Sequence, residues 1–267
     1  KKSKAAAVEK VKVNNIKSIV KNVMKTNVER KFAMKNFIAD KVQVPGCGLN
    51  YNGTTNLNGW CNGPTDGYGI LPSIPAGSGE GSRIGVKINP KSCFLRYSLL
   101  ASTTTDSTVT LNTNPYKGIP FRVRVIIFRH KYAIDDYAQN NICNIGNGAA
   151  DLTADVDTYF RPYNKDEYTI VYSRTHRMAA LRHVTGAAGT TVTTENLPNG
   201  CLTYVNGRAR VPLPKVLKYN DQVVTNYPTN IGYFLAFAVV NDDGSTVATT
   251  QSRVIASAES GMYFTDL

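Results

Sequence analysis

From Arg83 to Leu267 the chain reads as strand, turn, strand, and this constrains its fold more than any other feature. "RIGVKINPKSCFLRYSLLAS" and "TVTLNTN" come first, then "IPFRVRVIIFRHKY". The last is apolar from Val123 to Phe128, with Arg122, Arg124 and Arg129 interleaved, as expected of a central strand. "DEYTIVYSRTHRMAA", "CLTYVNGRARVPLPKVLKYND", "NIGYFLAFAVVNDD", "TVATTQSRVIASAE" and "GMYFTDL" follow. Asn199-Gly200, Asn206-Gly207 and Asp243-Gly244 supply turn chemistry between them. About eight strands with no second helical pattern predict an antiparallel sandwich or jelly roll. Of the 267 residues, those at 41–267 are enough for one all-β domain with a well-buried core.

The first forty residues are different. In "VEKVKVNNIKSIVKNVMKTNVERKF", Val8 to Phe32, the residues Ile16, Ile19, Val20, Val23 and Met24 recur at helical spacing. Lys10, Lys17, Lys21 and Lys25 line another face, so the stretch predicts a basic amphipathic helix. Its β-branched content lowers intrinsic helicity, and the helix therefore needs a partner surface or a polyanion to order it. Residues 1–40 carry Lys1, Lys2, Lys4, Lys10, Lys12, Lys17, Lys21, Lys25, Arg30, Lys31 and Lys35 against Glu9, Glu29 and Asp40. That is a net +8 of the chain's +12, so the basicity is an arm and not a property of the whole surface. A concentrated basic arm points to nucleic acid first and an anionic membrane second. The eleven cations are the expected nucleic-acid contacts; the bland alternative is a helix whose lysines only keep it soluble. The arm has no Trp, which disfavours a membrane-surface helix. No run of 18 apolar residues predicts a membrane span.

Residues 45–83 are rich in Gly, Asn, Pro and Ser, and read as a long loop packed on something, such as a neighbouring subunit. The "GSGEGSRIG" within it lacks the Lys-Ser/Thr ending of a phosphate loop and reads as a turn. Cys47, Cys61, Cys93, Cys143 and Cys201 are odd in number and include no CxxC, so buried free thiols are expected.

Nothing in the sequence forms a convincing active site, and no enzymatic activity is expected. His130, His176 and His183 lack the H-x-H pattern that places two metal ligands on one strand face. Asp135–Asp136 and Asp242–Asp243 read as solvated loop pairs. In "DLTADVD", Asp151, Asp155 and Asp157 gather oxygens of the kind calcium takes, and they are the only candidate metal ligands, at a subunit contact. Val156 stands where an EF-hand loop needs glycine.

The order of segments resembles a known family. A basic helix ending "VERKFAM" precedes a Gly-rich loop and "GSRIGVKINPKSCFLRYSLL"; then come "FRVRVIIFRHKY", "YNKDEYTIVYSRTHRM", "RVPLPKVLKYND" and "GYFLAFAVVNDDG". This is similar to the single jelly-roll capsid proteins of small icosahedral viruses, of the satellite tobacco necrosis virus type and of circular single-stranded DNA viruses. The loop before Arg83 is longer than in the satellite virus, and the arm is lysine-rich instead of arginine-rich. The resemblance implies an eight-stranded antiparallel jelly roll at residues 41–267 behind an N-terminal basic arm and helix at residues 1–40. It further implies self-assembly into a shell of sixty copies, packaging of a viral single-stranded genome by the arm, and a place in the virion. A jelly-roll lectin or attachment module with an incidental basic tail is the alternative.

Overall fold

The computed structural model describes residues 15–19, 29–36, 42–45, 48–51, 69–101, 119–132, 162–180, 183–184, 193–194, 197–220, 226–244 and 252–267. Its strands are β1 (Lys31–Asn36), β2 (Val42–Pro45), β3 (Gly48–Tyr51), β4 (Lys87–Ala101), β5 (Phe121–His130), β6 (Tyr168–Met178), β7 (His183–Val184), β8 (Thr193–Thr194), β9 (Tyr204–Val211), β10 (Leu217–Lys218), β11 (Phe234–Asn241) and β12 (Ser252–Asp266). They form two antiparallel sheets and a small β7–β8 ribbon. The protein is all-β, as its strand pattern predicts.

In the first sheet, β12 and β4 pair along almost their whole lengths. β1 and β2 share the free edge of β12, and β9 and β10 share the free edge of β4. Both central strands alternate. Cys93, Leu95, Tyr97 and Leu99 on β4, and Val254, Ala256, Ala258 and Met262 on β12, point into the core. The residues between them face away from the second sheet.

The second sheet has the order β3-β11-β5-β6. β11 does not alternate, and β5 stops alternating after Val125, because there both faces of the sheet are covered. Leu235, Phe237 and Val239 of β11 join Val123, Val125 and Ile127 of β5 in the core between the sheets. Phe234, Ala236 and Ala238 join Ile126, Phe128 and Tyr168 in a second cluster on the far face. This explains the unbroken apolar run from Val125 to Phe128.

Several expectations are corrected. Lys31 and Phe32, the end of the stretch expected to be helical, belong to β1, so the first sheet begins inside residues 1–40. Only residues 15–19 of that stretch are described as helix. The region 45–83 is not one loop. Gly48–Tyr51 is a strand on β11, and Ile70, Leu71 and Ile74 are buried in the chain's own core. Ile70 donates its N–H to the Tyr233 carbonyl and Ile74 donates to that of Asn226. The "GSGEGSRIG" segment does turn, with Ser82 N–H bonded to the Gly79 carbonyl and Gly85 at φ +83°.

Asn206-Gly207 is no turn. Both residues lie within β9, opposite Ser98 and Tyr97. A Cβ on Gly207 would come within 2.0 Å of the Tyr97 ring, so this glycine makes room for a ring lying across the backbone. Gly261 acts similarly: "SRVIASAE" and "GMYFTD", read as parts of two segments, form the single strand β12, with the Phe94 and Phe32 rings folded over Gly261. "TVTLNTN" lies outside the described residues.

Candidate nucleic-acid interface

The outward face of the first sheet collects arginine and aromatic side chains from four segments. Phe32 comes from β1, Phe94 and Arg96 from β4, Tyr204, Arg208 and Arg210 from β9, and Tyr263 from β12, with Arg30 just before β1. The strand registers set Phe32 beside Tyr263, Gly261 beside Phe94, Phe94 beside Arg210 and Arg96 beside Arg208. Because Gly261 has no side chain, the Phe32 and Phe94 rings lean over it and stack, with centroids 6.4 Å apart and planes 17° apart. Tyr263 packs on Phe32 at 4.7 Å.

The guanidinium groups sit on these rings. Those of Arg96 and Arg208 lie 5.0 and 4.7 Å from the Phe94 centroid, and that of Arg30 lies 4.4 Å from the Tyr263 centroid. Stacked this way an arginine keeps its N–H edges available to an anion. Lys87 and Lys218, paired across β4 and β10 and both exposed, extend the positive charge along the same face. Glu259 is the one carboxylate on this face among the described strand residues, and it pairs with Arg96 at 3.1 Å.

Arg96 directly opposite Arg208 is an unfavourable cross-strand pair. The second sheet has a similar pair, Arg122 opposite Arg177, and there Asp242 lies between them, 2.9 Å from each Nε. Asp242, expected to be a solvated loop residue, is thus a clamp on β5 and β6. Arg208 and Arg210 have no such carboxylate among the described residues. Beside them an open groove of about 650 Å³ is lined by Arg96, Ser98, Tyr204, Asn206, Arg208 and Glu259, among others.

The residues expected from the sequence fall in several places. Lys17 is exposed on the helical residues 15–19, where Ile16 and Ile19 are also exposed, at 59% and 62%. Arg30 joins the outward face. Lys31 points the other way: it is buried, 2.8 Å from Asp266 Oδ2, and donates to the Ser82 carbonyl. Lys35 donates to the Gly69 carbonyl at 2.9 Å and lies over the Tyr227 ring. Lys1, Lys2, Lys4, Lys10, Lys12, Lys21 and Lys25 lie outside the described residues, as do the calcium candidates Asp151, Asp155 and Asp157. Among the described residues no group of three His, Cys, Asp or Glu side chains is placed to hold a metal ion, and no helix is long and apolar enough to cross a membrane. Cys93 and Cys201 are buried free thiols, and burial raises the Cys93 pKa to about 12.

The histidines have separate settings. His130 packs edge-on against Tyr168, His183 lies on β7, and His176 is buried between the sheets, where its Nε2 bonds the Tyr97 hydroxyl at 2.9 Å. The Tyr97 hydroxyl also meets that of Tyr172 at 2.9 Å. Burial, with Arg174 nearby, lowers the His176 pKa, while burial and the hydrogen bond to Tyr172 raise that of Tyr97. A histidine held neutral in the fold takes up its proton first in the unfolded chain. Its contribution is therefore complete above the ordinary histidine pKa of about 6.5 and is lost as pH falls below it, by at most about 1.4 kcal/mol per pH unit. Chemical denaturation from pH 7.5 to 5 is expected to show this loss in the wild type and a flatter dependence in His176→Gln. Parallel profiles would show that His176 does not set it.

No protein-family model matches the chain, and no curated protein matches it in sequence.

Proposed function

We propose that this chain is the structural capsid protein of a small icosahedral virus: a jelly roll that assembles into a closed shell, sixty copies by its resemblance, and packages a single-stranded genome through its basic N-terminal residues. The observation that carries this reading is the pairing of the strands. β1 and β2 line one edge of β12, and β9 and β10 line one edge of β4, so the two sheets reduce to eight strands in chain order. The first then pairs with the eighth, the second with the seventh, the third with the sixth and the fourth with the fifth. That nested pairing is what a long hairpin gives when it wraps into a jelly roll, an architecture common to viral capsids and lectins.

Charge separates those two classes. A lectin has no use for a strongly basic segment leading into its edge strand, nor for a face whose described strand residues set Arg96, Arg208 and Arg210 against the single carboxylate Glu259 beside that entry. A shell that encloses a polyanion needs both. With Lys31 spent on Asp266, sixty arms of about +7 bring roughly 400 positive charges, enough to offset several hundred nucleotides at one charge each.

Purified protein is expected to form uniform closed particles in negative-stain images and a single fast boundary in sedimentation, at some combination of salt, pH and calcium. Monomer alone under all of them, together with binding to a glycan array, would replace the capsid reading with that of a lectin.

A further inference from the structure

We infer that the outward face of the first sheet is a second nucleic-acid contact, one that holds a single strand by base stacking as well as by charge. This deepens the packaging reading and rests on it for the kind of ligand. Particle formation and strand binding are measured separately, so either can fail alone.

Three observations carry it. First, Arg30, Arg96, Arg208 and Arg210 meet, among the described strand residues of the face, one carboxylate, Glu259, which is already engaged with Arg96. A sheet that sets Arg96 directly opposite Arg208 holds repulsion that an external anion relieves. Second, the cations alternate with rings. Phosphate contacts alone need only mobile lysines, whereas arginine planes and exposed aromatic faces take unstacked bases. Tyr204, 52% exposed, and Phe32, 38% exposed within the Phe94 cluster, offer such faces. Third, the groove beside Tyr204, of about 650 Å³, has the size of a small-molecule site and presents Asn206, Ser98 and Ser257 to the edge of a base.

A duplex keeps its bases stacked inside and would use only the charges, so the face favours single strands. A second copy of the chain is a poor occupant, since two-fold pairing of this face would set its arginines against their own kind.

The test uses the full-length chain and a fluorescent oligothymidylate of about twenty nucleotides, with a duplex of equal length as control. Replacing Arg96, Arg208 and Arg210 together by Gln should reduce the salt slope on the single strand by about two. Tyr204→Ala should weaken single-strand binding roughly fivefold to a hundredfold, while duplex binding and the salt slope stay unchanged. Tyr204→Phe should restore it, which separates stacking from the hydroxyl. Photocrosslinking of a bromouracil-substituted oligomer should mark peptides of β4, β9 or β12 besides the arm. Unchanged single-strand affinity in Tyr204→Ala, or crosslinks confined to residues 1–29, would overturn the inference even if particles form.

Discussion

Asp266→Ala is expected to destabilise the folded chain by about 3 kcal/mol, the low end of the range for stripping a buried charge of its partner. Lys31 is only 3% exposed, and its ammonium contacts the Asp266 carboxylate and the Ser82 carbonyl. Without the carboxylate, a buried positive charge keeps a single neutral acceptor. Asp266 is 22% exposed, so water entering the vacated space softens the loss. The reverse change should be milder. In Lys31→Met the remaining carboxylate reaches solvent and still accepts the Ile84 N–H at 3.0 Å. The double variant Lys31→Met with Asp266→Leu should recover most of the stability lost in Asp266→Ala, because apolar residues of similar size often replace a buried ion pair at little cost. Urea midpoints at unchanged m-value measure all three. Equal losses in both single variants would mean that the pair is hydrated and that its burial does not matter. The same variants bear on binding. Lys31 was expected among the phosphate contacts, yet its charge is spent inside the fold, so Lys31→Met should leave the salt dependence of nucleic-acid binding where it was.

What the sequence discloses depends on whether a signal is local. Val123 to Phe128 announce a central strand, and the structure gives β5 two apolar sides from Val125 to Phe128. Glycine is harder to read, because it serves turns and close approaches alike. Gly200 and Gly244 adopt φ of 76° and 75°, as turn residues do. Gly207 and Gly261 sit in mid-strand, because Tyr97 in one case and Phe94 with Phe32 in the other occupy the space of a side chain. Only the cross-strand register shows the difference. Likewise Ile70 and Ile74, embedded among Gly, Ser and Pro, lack the periodicity that would mark them as core.

The arginine face was hidden for the same reason. Arg96 and Arg208 are neighbours only through the β4–β9 register, and Gly261, which frames the aromatic cluster, comes from a third strand. A signal did exist: Phe94 and Arg96 alternate with core residues, as do Tyr204, Asn206, Arg208 and Arg210. Outward positions so rich in Arg and aromatics are unusual for a merely solvated face. The arm drew attention because its charges are contiguous in sequence.

That arm gives the expectation with the largest effect on binding. Replacing Lys17, Lys21 and Lys25 by Gln leaves helix propensity nearly unchanged, since the two residues are close on that scale. Each lysine that neutralises a phosphate releases a counterion, so the triple variant should lower the log–log salt slope by about three on duplex DNA and by about two on single strands. Between about 50 and 200 mM salt, wild-type affinity should therefore fall roughly 20- to 40-fold further than that of the variant. The apolar side should behave differently. Ile16 lies exposed in the single chain, and its burial against neighbouring arms or the sheet would come with assembly. Ile16→Asp should then reduce particle yield far more than the one added negative charge reduces the slope. These results would divide the work between two surfaces, with lysines on the arm supplying sequence-blind charge and arginines on the sheet adding the grip on single strands. Identical slopes for wild type and the Gln variant would return the lysines to the role of a solvated face, and would leave Arg96, Arg208 and Arg210 to carry the polyanion alone.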